Sequence, residues 1–130
     1  MSPRRSQGSS TALDVITYPD EARPAHWVRP ILGLGNFDGL HRGHVKILER
    51  VVRRAAERDG TPVALTFDPH PTRVVRPDKA PSLLMTRAQK LEAMRRVGVR
   101  GVAVVRFTPE IAAWDPGRFA REVLTGWLQV

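Results

Sequence analysis

The chain has 130 residues, 42 % of them hydrophobic and 26 % charged, the size and make-up of one globular domain rather than of a domain plus a separate substrate lobe. Lys and Arg outnumber Asp and Glu by 21 to 13, a formal charge of +8 that favours anionic partners such as nucleotides or nucleic acid. The sequence has no cysteine, which excludes disulfide frameworks, thiolate metal sites and cysteine nucleophiles, and no apolar run approaches the roughly 18–20 residues of a membrane span.

Residues 1–12 read as a disordered basic tail: Arg4 and Arg5 lack the apolar stretch of about 7–15 residues that follows the basic start of a signal peptide. A cytoplasmic location is the expectation. Residues 13–18 alternate as a short strand, and Pro19, Pro24 and Pro30 then mark a loop. Residues 31–35 form an apolar run too short for a helix, consistent with a buried strand. From Gly43 to Arg58 the apolar residues Val45, Leu48, Val51, Val52 and Ala55 recur every three or four positions, and Lys46, Arg50, Arg53 and Arg54 fill the gaps. That spacing predicts an amphipathic helix with a solvated basic face, ended by Asp59 and Gly60.

A second buried-type strand is predicted over 62–67, followed by a long Pro-rich basic loop over 68–84 that includes Arg73, Arg76 and Lys79. Thr86 and Gln89 have capping-box spacing, with Ala88, Leu91, Met94 and Val97 as the apolar stripe of a helix that stops near Gly98. Residues 101–107 make a third strand. Asp115 as N-cap and Pro116 at the first helical position open a last helix carrying Phe119, Val123, Leu124 and Trp127. Trp27, Trp114 and Trp127 read as packing residues, and His26 has no partner visible in the sequence. Alternating strands and helices predict an α/β fold with a parallel sheet and flanking helices, whose ligands bind beyond the carboxyl ends of the strands.

The loops after Gly35, Phe67 and Phe107 therefore matter most. The first is the densest in chemistry: Gly35 and Gly39 permit a sharp turn, and His41 and His44 lie three apart at a helix start, where unpaired backbone N–H groups also point. Such a turn holds an anion, and Gly43 lets a phosphate approach the backbone closely. Read alone, the same residues equally describe a solvated Gly-rich loop or a stray metal site. Asp68-Pro69-His70-Pro71 read alone is a rigid turn.

The run Gly35-Asn36-Phe37-Asp38-Gly39-Leu40-His41-Arg42-Gly43-His44 resembles the HxGH motif of the nucleotidylyltransferase superfamily, a group also related to the class I aminoacyl-tRNA synthetases. Together with Thr66-Phe67-Asp68-Pro69-His70-Pro71, it is similar to the N-terminal adenylyltransferase module of bacterial bifunctional FAD synthetases (riboflavin kinase/FMN adenylyltransferase). The resemblance runs from about residue 13 to the end. It implies a Rossmann-like nucleotidylyltransferase fold and transfer of AMP from ATP to FMN, giving FAD and pyrophosphate with Mg²⁺ assistance. His41 and His44 would be the catalytic pair on the ATP phosphates, Gly35, Asn36, Phe37, Asp38, Gly39 and Gly43 would shape the nucleotide pocket, and Asp68, Pro69, His70 and Pro71 would lie on the flavin side. No Mg²⁺ ligand is named by it. Small-molecule substrates are then the expected partners, not nucleic acid and not a membrane.

The family's fourth-strand Gly-x-Asp/Asn-Phe-x-Phe-Gly motif, its Ser/Thr-rich motif ending in Arg, and its riboflavin kinase barrel have no counterpart in residues 13–130. The expectation is a partial module, weak or inactive by itself. In a sheet ordered 3-2-1-4-5 its strand over 31–35 would be an uncovered edge, open to association with another chain. The alternatives are a nucleotide- or flavin-binding remnant without catalysis, another nucleotidylyltransferase acting on NMN or phosphopantetheine, and a basic RNA-binding protein.

Overall fold

The computed structural model describes residues 13–35, 37, 42–68 and 86–130. The expectations for the tail over 1–12, for Asn36, Asp38, Gly39 and His41, and for Pro69, His70, Pro71, Arg73, Arg76 and Lys79 lie outside the described residues. Four strands, β1 (Asp14–Tyr18), β2 (Pro30–Leu34), β3 (Thr61–Asp68) and β4 (Gly101–Arg106), form one sheet in the order β1-β4-β3-β2. Every pairing is parallel, with Leu34 opposite Leu65, Asp68 opposite Arg106 and Asp14 opposite Gly101.

β3 and β4, buried on both faces except at their last residues, are the near-continuous apolar runs that central parallel strands require. The strand over 31–35 was expected at an edge, and among the described residues β2 pairs only with β3. The short N-terminal strand β1 takes the opposite edge beside β4.

Helix α1 (Arg42–Glu57) follows β2 and buries Leu48, Val51 and Ala55, as its periodicity predicts, and Arg50, Arg53 and Arg54 stand exposed. It lies close on the sheet: a Cβ at Gly33 would come 3.0 Å from Val51 Cγ2. Asp59, at φ 52°, turns the chain out of the helix, and Gly60 N–H donates to the Ala55 carbonyl at 2.7 Å. Helix α2 (Arg87–Val97) has the capping box in full. Thr86 Oγ1 accepts from Gln89 N–H at 3.1 Å, and Gln89 Oε1 accepts from Thr86 N–H at 2.9 Å.

Gly98, at φ 116°, closes α2 in the left-handed conformation. On its outer face a hydrogen bond from Arg95, joined by one from Arg96, lowers the Glu92 carboxyl pKa to about 2. Ala88, expected in the apolar stripe, is exposed, and Met94 is the buried anchor. Thr86→Ala removes the cap and is expected to destabilise the chain by about 1 kcal/mol, read from the urea midpoint at unchanged slope.

After β4 a short helix α3 (Pro109–Ala112), which the sequence pattern did not reveal, precedes α4 (Pro116–Phe119), capped by Asp115 as predicted. The chain continues in π-helical turns over Ala120–Trp127, with Leu128 N–H donating to the Val123 carbonyl five residues back.

The two sheet faces carry separate apolar layers. Phe37, Leu48, Ala64, Met94, Val99, Val102 and Val104 pack beneath α1 and α2. Ile16, Trp27, Val63, Leu65, Ala103, Val105, Ile111, Val123 and Leu128 pack beneath the C-terminal helices. Trp27 is wholly buried, Tyr18 meets Trp127 edge-on at 5.1 Å, and Arg118 lies 4.5 Å over the Trp114 ring. The tryptophans pack, as expected. His26 has a partner after all: its Nε2 is 2.6 Å from Asp14 Oδ2, across two elements that sequence spacing does not join.

Candidate functional site

The site is built where β2 ends and α1 begins. Gly35 N–H still donates to the Leu65 carbonyl at 3.1 Å, so the chain keeps its sheet register until one residue past β2. It then passes over the Phe37 ring, which would lie 3.2 Å from a Cβ at Gly35. That close approach is why glycine stands there. Phe37 takes a left-handed backbone, φ 58°, and its ring is fully buried among Leu48, Ala64 and Val102. A bulky residue adopts positive φ only when its surroundings hold it there. The resemblance places Phe37 among the residues shaping a pocket, and its ring lies in the core beneath α1 and α2.

His44 stands in the first turn of α1, partly buried, with its imidazole edge-on to the Phe37 ring at 5.3 Å. Gly43 is exposed beside it. The first turn of any helix carries N–H groups without intrahelical partners, and the helix dipole adds to their pull on an anion. A histidine backed by a buried aromatic ring at that position can add a further donor.

Asp68 ends β3, one strand spacing from β2, and is exposed. Alternation along β3 sets Ala64, Thr66 and Asp68 on the face that carries α1, and along β4 sets Val102, Val104 and Arg106 on the same face. His44, Asp68 and Arg106 therefore share one side of the carboxyl rim. Arg87, at the start of α2, reaches Asp68 at 3.9 Å, and Arg106 pairs with Asp20 just beyond β1. The sequence reading missed Arg106, Asp20 and Arg87, because partners 19 to 86 positions apart leave no local pattern. Among the described residues no three His, Asp or Glu side chains cluster as a metal site, and no helix is long and apolar enough to cross a membrane.

A parallel sheet with helices on both faces, and a helix N-terminus bearing a histidine next after a strand that pairs on one side only among the described residues, define an α/β protein of nucleotide-binding type. Residues 24–130 match the FAD synthetase family model, and the chain belongs to that family. It is 31 % identical over 112 residues to the bifunctional riboflavin kinase/FMN adenylyltransferase of Bacillus subtilis, covering 85 % of this chain and 35 % of the relative. Against the Escherichia coli protein of the same name it is 34 % identical over 100 residues, covering 77 % of this chain and 32 % of the relative. The chain thus spans about a third of the length of these curated relatives. A crystal structure from Streptococcus pneumoniae, described as a macrolide-efflux protein, superposes with a TM-score of 0.64 at 26 % identity, covering 84 % of this chain and 37 % of that one.

Proposed function

We propose that the chain is an FMN adenylyltransferase module. A phosphate oxygen of FMN attacks the α-phosphorus of ATP, the bond from that phosphorus to the bridging oxygen breaks, and FAD and pyrophosphate result. The family match over residues 24–130 carries this reading, and the geometry supports it. Adenylyl transfer is chiefly positioning plus stabilisation of charge on phosphate oxygens, and the first turn of α1, with backbone N–H groups that have no intrahelical partner and the His44 imidazole, suits that purpose.

In this reading His44, and His41 three residues earlier, hold the triphosphate. Gly43 lets it reach the backbone, and Gly35, Asn36, Phe37, Asp38 and Gly39 set the shape of the nucleotide pocket, Phe37 from within the core. Asp68, Pro69, His70 and Pro71 lie on the flavin side. Bound with ATP, Mg²⁺ would supply neutralisation of the charge that otherwise repels the attacking phosphate. The cytoplasm, where ATP and FMN occur together, is the place of action, and the partners are these small molecules.

A second reading, binding of ATP and FMN without turnover, is favoured by the share of its relatives that the chain spans, about a third. One experiment separates the two. Incubation of the chain with FMN and Mg-ATP is expected to yield FAD and pyrophosphate in equal amounts, more slowly than with a full-length relative, when products are resolved by chromatography. Binding of both substrates without FAD selects the second reading. Binding of neither overturns both.

A further inference from the structure

At the end of β4, Arg106 is gripped by Asp20: Nη2 pairs with Oδ2, and Nη1 lies 3.5 Å from Oδ1. Both side chains are about half exposed, at 50 % and 51 %. Across the sheet the register partner of Arg106 is Asp68, whose carboxylate is turned to Arg87 at 3.9 Å. The carboxyl rim thus carries two arginines, each occupied by a carboxylate in a solvated pair. Such pairs contribute little to stability, so exchanging the carboxylate for a better anion costs little. A phosphate monoester is the better anion: it carries up to two charges and matches the guanidinium fork with parallel hydrogen bonds.

The position fits that exchange. Neighbouring strands lie about 4.8 Å apart, so β4 ends about 10 Å from the end of β2, where α1 begins. Arg106 also extends from the sheet face that carries α1. A phosphate held by Arg106 would then stand on the β4 side of a polyphosphate seated on the first turn of α1.

We propose that Arg106 binds the phosphate monoester of the acceptor substrate, and that Asp20 holds the guanidinium in place until that phosphate displaces it. The proposal rests on the adenylyl-transfer reading above and adds to it the residue that selects a phosphorylated flavin over its dephosphorylated form.

FMN and riboflavin differ only in the phosphate, and both can be titrated by flavin fluorescence against the 130-residue chain. Arg106→Gln is expected to weaken FMN binding at least tenfold, with riboflavin and ATP binding within twofold of the parent, so that preference for the phosphate collapses. Arg106→Lys keeps the charge, loses the fork and should fall in between. Asp20→Asn frees the arginine and should tighten FMN at least twofold. Equal weakening of FMN and riboflavin by Arg106→Gln, or an Asp20→Asn loss equal to that of Arg106→Gln, would show a structural clamp, and unchanged FMN binding would show no contact with the phosphate; each overturns the assignment. A parent chain that binds ATP but neither flavin fails at the earlier step, and refutes the functional reading together with this one.

Discussion

Gly101→Ala is expected to destabilise the chain by about 2–3 kcal/mol, the upper range for forcing one extra carbon into a packed core. The added Cβ would lie 2.4 Å from Trp27 Cζ2 and 2.7 Å from Cε2. The obstacle is a rigid, wholly buried ring rather than the end of a flexible chain, and its Nε1–H is held by Asp14 Oδ2 at 3.3 Å. β4 cannot move aside, because Gly101 is in register with Asp14 of β1 on one side and with Val63 of β3 on the other. The indole must shift, losing burial, or the sheet must. A double-mutant cycle decides whether the clash is the cause. Trp27→Leu alone should cost several kcal/mol through the cavity it leaves, at the lower end of the roughly 3–5 kcal/mol typical of removing a large aromatic. In that background Gly101→Ala should cost less than about 1 kcal/mol. Urea denaturation gives all four stabilities, and strict additivity would refute the packing argument.

The contrast between Gly101 and the residues that the sequence did reveal explains how far pattern reading reaches. Thr86 with Gln89, Asp115 with Pro116, and the stripe of Leu48, Val51 and Ala55 all act within one helical turn or along one helix face. Their chemistry is written in adjacent positions. The unpaired side of β2 was also legible, since the sheet order 3-2-1-4-5 that the resemblance implies leaves that strand without its next neighbour, and among the described residues β2 pairs only with β3. The place of β1 beside β4 was not, because nothing local to residues 14–18 names a partner 87 positions on, where Asp14 meets Gly101. The same holds for His26 with Asp14, for Arg106 with Asp20, and for the close passage of Gly101 under Trp27.

At the site, the HxGH-type run was visible as a motif, whereas the burial of the Phe37 ring was not. The resemblance names Phe37 for the nucleotide pocket, and the left-handed backbone at φ 58° with full burial adds that its ring packs in the core.

That packing sets the second prediction, that His44→Ala lowers the rate of FAD formation by 10²–10³-fold, about 3–4 kcal/mol, the usual cost of deleting one preorganised donor to developing oxyanion charge. The loss should appear in kcat more than in KM for ATP, since a donor aimed at charge that grows during reaction contributes little to ground-state binding. Measuring with the chain in excess over FMN keeps a slow reaction quantifiable. Phe37→Ala is the companion that separates support from chemistry. It removes a ring buried with Leu48 and Met94 and touching the imidazole edge-on at 5.3 Å, so it should cost about 3–5 kcal/mol of stability, whereas His44→Ala should leave the melting temperature far closer to that of the parent. A single-turnover rate for His44→Ala within threefold of the parent would remove His44 from the reaction and leave the first turn of α1 as an anion site alone.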